Sequence, residues 1–389
     1  MIKKIFLFFT SLVLSLSLAE FVLRIFMPGL GSEVFKLNNP GESPFIYNEQ
    51  IGYEPKPFAL LETKDDLGSI CFEKVNSEGF RAPEYTIPKP EEVLRILAVG
   101  DSVVQAFSVA YKRTWEQVLQ DRINQRFASL GLNKKCEVIN TGVGGYVSWQ
   151  ALQRLGNRGL KYQPDLVLVL VGANDLLFSS LPYWGPKINL SDIEQAYLKP
   201  VANAGSSTFW SIIRLSVYRY SYFARLVRQA RNNIWNNSRI HNLIKEHQKN
   251  NGLEFNKSAL DLYIHNLEKI YNTTKENGVR MGLVIWPVLP SAELINDPDI
   301  NWRLRDIYSN FPLSNLQLWD WYIRYLDAQR QFALRHLDII SIDAAAAFED
   351  KDKKQRLRLF VDMCHLTVEG NRLLAEVILN KLIKKGMFK

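Results

Sequence analysis

The chain has 389 residues, 47% hydrophobic and 23% charged, which suits a globular protein with a sizeable core and excludes a mostly disordered or collagen-like chain. Three cysteines and five histidines exclude a disulfide scaffold and a cysteine-rich zinc framework. The net charge of +8 is modest at this length and suits a nucleic acid, an anionic membrane or an acidic polymer alike; no nucleic-acid partner is expected because the first thirty residues direct the chain elsewhere.

Lys3 and Lys4 precede an apolar run from Ile5 to Met27, the pattern of an export signal. Two readings stand for residues 1–28. Ser17-Leu18-Ala19 offers small residues for signal-peptide cleavage. Alternatively the run continues through Phe26, long enough for an uncleaved membrane anchor. Glu20 and Arg24 lie one helical turn apart and can pair. Lys3 and Lys4 would stay cytoplasmic, which puts the body outside the cytoplasm, at the cell surface or in the periplasm. Cys71, Cys136 and Cys364 are an odd number, so at least one is unpaired.

Residues 29–93 are rich in proline, glycine and charge, and read as an extended lead-in without its own core. From there strands and helices alternate. Strands are expected at Leu94–Val99, Glu137–Ile139, Asp165–Val171, Arg280–Trp286 and Asp338–Ile342. Helices are expected at Thr114–Leu130, Trp149–Leu160, Leu260–Asn277, Leu318–His336 and Val368–Lys385, the last capped by Thr367. Continuous apolar strands such as DLVLVLV suit a parallel sheet covered on both faces, and the alternation predicts a doubly wound α/β domain over 94–389.

Residues 181–252 break the alternation and read as an insertion. Its segment Phe209–Trp235 interleaves aromatics with Arg214, Arg219, Arg225, Arg228 and Arg231. A helical cap on the sheet domain is one reading; a surface for anionic glycans or lipid headgroups is the other.

Ligands of open α/β sheets sit at the carboxyl ends of the strands. The segments following these strands hold Gly100-Asp101-Ser102, Asn140 to Gly145, Gly172-Ala173-Asn174-Asp175, and Asp362-Met363-Cys364-His365. Each alone reads as a cap or a surface group. Together they supply a serine nucleophile, a histidine base and a carboxylate to orient it. Asp362 is spaced to reach Nδ1 of His365, leaving Nε2 for Ser102. Gly145 and Asn174 are placed to donate to an oxyanion. A metal-dependent hydrolase using Asp101, Asp362 and His365 is a weaker alternative.

These blocks, in this order, resemble the SGNH hydrolase superfamily, also called GDSL esterases and lipases. The resemblance spans about Arg95 to Leu379 apart from the insertion, with Val103 where the family commonly has leucine. The lead-in Asn76–Arg81 also resembles that of anchored bacterial members. The resemblance implies a flavodoxin-like three-layer fold and no cofactor or metal. It implies Ser102 as nucleophile, His365 as base and Asp362 as its partner. The oxyanion hole would be Ser102 N–H, Gly145 N–H and the Asn174 amide. The implied reaction is cleavage of acyl groups, often acetyl, from a carbohydrate or lipid. The same machinery could transfer the acyl group to an exported polysaccharide, and a non-catalytic polymer-binding protein is the third reading.

Overall fold

The computed structural model describes residues 2–26, 44–48, 50–64, 70–180, 254–295, 297 and 313–388. The expected insertion at 181–252, with its arginine-rich aromatic stretch, lies outside the described residues.

The α/β domain is a five-stranded parallel sheet built from β1 (Val93–Gly100), β2 (Lys135–Asn140), β3 (Leu166–Leu170), β4 (Arg280–Ile285) and β5 (Ile340–Asp343). The strand order is β2-β1-β3-β4-β5, the flavodoxin-like order, with its reversal between β1 and β3. β3 is buried at every residue because it pairs with β1 on one side and β4 on the other, and helices cover both faces. The longest apolar run therefore becomes the centre of the sheet.

Helices α2 (Trp115–Ser129) and α9 (Val368–Lys384) pack together on one face. The other face carries α3 (Ser148–Arg154), α4 (Ala173–Ser179), α5 (Lys257–Glu276) and α6 (Asn315–Arg335). Each long helix starts at a polar cap. Thr114, Asn256, Ser314 and Thr367 accept from backbone N–H groups in the first turns of α2, α5, α6 and α9. The helix expected at Trp149–Leu160 ends earlier as α-helix. After Arg154 it widens to a π turn at Leu155–Gly159 and then tightens to a 3-10 turn at Leu160–Tyr162. The built Cβ of an alanine at Gly159 would lie 2.6 Å from the Leu97 side chain, so this stretch runs very close to β1.

The described part of the lead-in is not a loose tether. Leu60–Lys64 and Ile70–Lys74 pair antiparallel. Phe80 and Ala82 are buried within the main hydrophobic core. Arg95 of β1, fully buried, ties it further by donating to Thr86 O and Tyr162 O and pairing with Glu137 at 2.6 Å.

Ile2–Phe26 is one continuous helix, and Arg24 pairs with Glu20 at 2.9 Å, as the spacing predicts. Several of its side chains, at 2, 4–7, 9, 12 and 13, lie outside the described set. Among the described residues no helix is long and apolar enough to cross a membrane, so the anchor expected over 1–28 is not shown.

Candidate active site

The site is assembled from the carboxyl ends of β1, β2 and β3 and from a loop that follows β5. Gly100 closes β1 where a side chain has no room. A Cβ there would lie 1.9 Å from Leu170 O and 2.6 Å from Val104. The strand ends can therefore approach closely, and the chain turns at once into α1 (Ser102–Gln105). Asp101 caps this short helix, its Oδ1 accepting from Val103 N at 2.9 Å. Burial pushes the Asp101 carboxyl up to about 6, against the pull of that hydrogen bond and of His365.

The loop after β5 passes through α7 (Ala344–Glu349) and α8 (Lys353–Leu359), then bends back at Phe360 and Leu366, which form an antiparallel bridge. Val361 N donates to His365 O at 2.8 Å across this bend. Leu289 N donates to Met363 O at 2.7 Å, and Ser108 Oγ to Leu366 O at 2.8 Å. The buried Arg356 gathers the carbonyls of Val288, Leu289 and Pro290 beneath it. The loop is thus held from both the β1 and the β4 side.

This framework brings Ser102, His365 and Asp362 into one hydrogen-bonded chain. His365 Nε2 lies 2.8 Å from Ser102 Oγ, and His365 Nδ1 lies 2.6 Å from Asp362 Oδ2. The second Asp362 oxygen accepts from Cys364 N at 3.0 Å and His365 N at 2.9 Å. Burial raises the Asp362 pKa, but the ring and backbone donors of His365 outweigh it, so the carboxyl ends below its ordinary value. Asp362 is therefore the ionised member that can hold an imidazole in one tautomer. The ring of Phe107, itself 42% exposed, lies 4.5 Å from the His365 ring.

Gly145 lies on the loop that follows β2, and Asn174 in the first turn of α4, after β3. The Gly144 position is 4.0 Å from the Ser102 Cβ, measured from where its own Cβ would stand. Gly145 adopts a φ of +81°, a conformation that favours glycine. Asn174 Nδ2 donates one hydrogen to Tyr146 O at 2.9 Å, which fixes the amide and leaves its second hydrogen uncommitted to that carbonyl. Of the five residues expected from the sequence, the contacts join Ser102, His365 and Asp362, while Gly145 and Asn174 stand after β2 and β3 in the chain.

Asp362, Cys364 and His365 also lie close enough to hold a metal ion by distance alone. Both ring nitrogens of His365 are already engaged, by Asp362 and Ser102. Burial also pushes the Cys364 thiol well up, away from the thiolate a metal would need. The donor set fits a hydrogen-bonded triad better than a coordination sphere.

Sequence reasoning passed over three residues. Gln105 accepts from Gly144 N through its side chain at 2.9 Å, and so fixes the loop that carries Gly145. Asp175 is buried and accepts from Ser148 N and Ser148 Oγ, tying the Asn174 loop to the start of α3. Burial pushes its carboxyl up to about 7. Tyr53, in the lead-in, donates to Gly144 O at 2.6 Å. The signal for Asp175 was its place in Gly-x-Asn-Asp; Tyr53 had none.

The match to known proteins follows this geometry. The model of the GDSL-like Lipase/Acylhydrolase family matches residues 98–373. The chain belongs to that family, a class of ester-hydrolysing enzymes. An arylesterase from Vibrio mimicus is 26% identical over 121 residues, covering 31% of this chain and 55% of the relative, so the match spans about half the relative's length. Among solved structures, the acetyl xylan esterase AlAXEase aligns over 74% of this chain and 98% of its own, at 15% identity and TM-score 0.41. A lipase/acylhydrolase from Enterococcus faecalis aligns over 75% and 96%, at 16% identity and TM-score 0.40. Axe2, an acetylxylan esterase from Geobacillus stearothermophilus, aligns over 74% and 93%, at 14% identity and TM-score 0.41.

Proposed function

We propose that this chain is a serine esterase that removes short acyl groups, acetyl foremost, from a carbohydrate or lipid outside the cytoplasm. The observation that carries it is the continuous chain from Ser102 Oγ through His365 to Asp362, at 2.8 and 2.6 Å. In the first step His365 Nε2 takes the Ser102 proton as Oγ attacks the ester carbonyl. The resulting oxyanion accepts from Ser102 N–H, Gly145 N–H and the free hydrogen of the Asn174 amide. His365 then returns the proton to the departing alcohol oxygen, leaving an acyl-Ser102 ester. Water, deprotonated by the same ring, cleaves that ester and restores the serine. Asp362 stays ionised throughout, orienting the imidazole and stabilising its charged form.

The extracytoplasmic placement rests on the N-terminal segment. Its helix exposes Phe8, Leu14, Leu18, Phe21, Ile25 and Phe26 behind Lys3 and Lys4, a surface suited to an apolar environment during export or afterwards. Activity found only in the cytoplasmic fraction of expressing cells would remove this part of the reading.

The test of the activity is a series of aryl esters from acetate to octanoate, with and without oligosaccharide acceptors. Fast release from the acetate, falling with chain length and unchanged by acceptors, is expected. Release that accelerates with acceptors, with acylated sugar as product, would replace hydrolysis by transfer. No release from any member would remove the esterase reading.

A further inference from the structure

The Gly144–Gly145 peptide carries the N–H assigned above to the oxyanion, and its other end is the Gly144 carbonyl. A peptide unit is planar, so fixing the carbonyl fixes the direction of the N–H. Two consecutive glycines flank this plane, and neither has a side chain to resist its rotation. Left alone, the unit could turn its N–H away from Ser102.

One contact from the lead-in opposes that rotation directly, and one from α1 fixes the peptide before it. The Tyr53 hydroxyl donates to Gly144 O at 2.6 Å, and Gln105 Oε1 accepts from Gly144 N at 2.9 Å. Tyr53 is itself held. Its carbonyl accepts from Tyr146 Oη at 2.5 Å, and the two rings meet edge-on with centroids 5.3 Å apart. Two residues before it, Ile51 O accepts from the buried Gln150 Nε2 at 2.9 Å. Tyr53 is 2% exposed, so its hydroxyl has little water to turn to. Arg81 secures the other side of the site from the same lead-in, donating to Gln105 O at 2.9 Å and to Ala106 O and Val109 O at 2.6 Å.

We propose that Tyr53 is a positioning residue for the esterase reaction. It latches the Gly144–Gly145 peptide with its N–H toward the developing oxyanion. This rests on the proposed serine mechanism and extends the active site into the lead-in. A hydrogen bond accepted by the carbonyl also polarises the amide, so the N–H at the other end becomes the stronger donor. Because the oxyanion exists only in the transition state, the latch acts on turnover and not on substrate binding.

The test compares the full chain with Tyr53→Phe and with Tyr53 replaced by 3-fluorotyrosine, which keeps the ring and makes the hydroxyl a stronger donor. Tyr53→Phe is expected to lower kcat for aryl acetate about tenfold with KM nearly unchanged. Affinity for a phenylboronic acid, which forms a tetrahedral adduct on the serine, should fall by a similar factor. The fluorotyrosine protein should keep or raise kcat. Equal kcat in wild type and Tyr53→Phe, or a loss carried by KM alone, would overturn the proposal. If Tyr53→Phe does not fold, the fluorotyrosine protein decides, and a kcat below wild type with intact folding would overturn it. Ser102→Ala run alongside separates the two readings. Turnover surviving there would refute the serine mechanism itself, whereas its loss beside an unaffected Tyr53→Phe would refute only the latch.

Discussion

At the scale of single residues, the proposed mechanism separates groups that meet the substrate from groups that aim them. It assigns Asn174 to the first kind. Its amide spends one hydrogen on Tyr146 O and so presents the other in a fixed direction. Donors of this sort bind charge that appears only in the transition state. Asn174→Ala should therefore lower kcat by about 10²–10³-fold while KM changes little. Steady-state kinetics on aryl acetate measures both. A loss confined to KM would make Asn174 a substrate contact. Ser102, Gly145 and Asn174 could be singled out in the sequence because each follows closely on an apolar strand, and Asp362 and His365 because their three-residue spacing suits a carboxylate and a ring that pair. Tyr53 could not, because it reaches Gly144 from 91 positions away and no local pattern records that meeting.

At the scale of elements, the first turn of α2 buries Glu116 completely. Asn140, at the end of β2, donates to its Oε1 at 2.9 Å and to Val104 O at 2.6 Å, so this carboxyl stands behind the helix that begins at Ser102. Burial pushes its pKa up to about 8, outweighing the hydrogen bonds and the charge of Arg81. In the unfolded chain Glu116 ionises at its ordinary value of 4.5. Between those values the folded state binds the extra proton, so stability falls as pH rises. The contribution is full below the unfolded value and is lost as pH rises through about 8. Asp101 and Asp175 carry the same sign at lower pH, so a variant is needed to isolate Glu116. Glu116→Gln keeps an oxygen for Asn140 and removes the titration. Melting curves should show wild type losing several degrees more than Glu116→Gln between about pH 7 and pH 9, at roughly 2–4 °C per kcal/mol. Parallel curves would place the ionisation elsewhere. The elements themselves were legible where periodicity was long, and all five core strands and the long helices fall close to their expected ranges. The short helices Ala344–Glu349 and Lys353–Leu359 were not, because six or seven residues give too few turns for a helical period to stand out.

At the scale of the whole molecule, the lead-in changes status. Composition alone made it a tether between an N-terminal helix and an α/β domain. Its buried residues instead enter the domain core, and its polar groups hold two loops of the candidate site from behind. Proline, glycine and charge describe a chain without regular structure; they say nothing about what that chain packs against. Residue pattern alone gave a parallel sheet but not its strand order, since β1 and β3 become neighbours through a crossover; the flavodoxin-like order came only from the family resemblance. Once that reversal is in place, the carboxyl ends of β1 and β3 put Ser102 and Asn174 at one crevice.

The central claim is that Ser102 attacks the ester and carries the acyl group. The direct measurement is mass spectrometry of the protein quenched during turnover of an aryl acetate, after reaction with a fluorophosphonate, and as Ser102→Ala under both treatments. The account predicts acetyl and phosphonyl adducts on the peptide containing Ser102. It also predicts neither adduct in Ser102→Ala, together with loss of turnover by several orders of magnitude. Adducts on another residue, or ester turnover retained by folded Ser102→Ala, would contradict it.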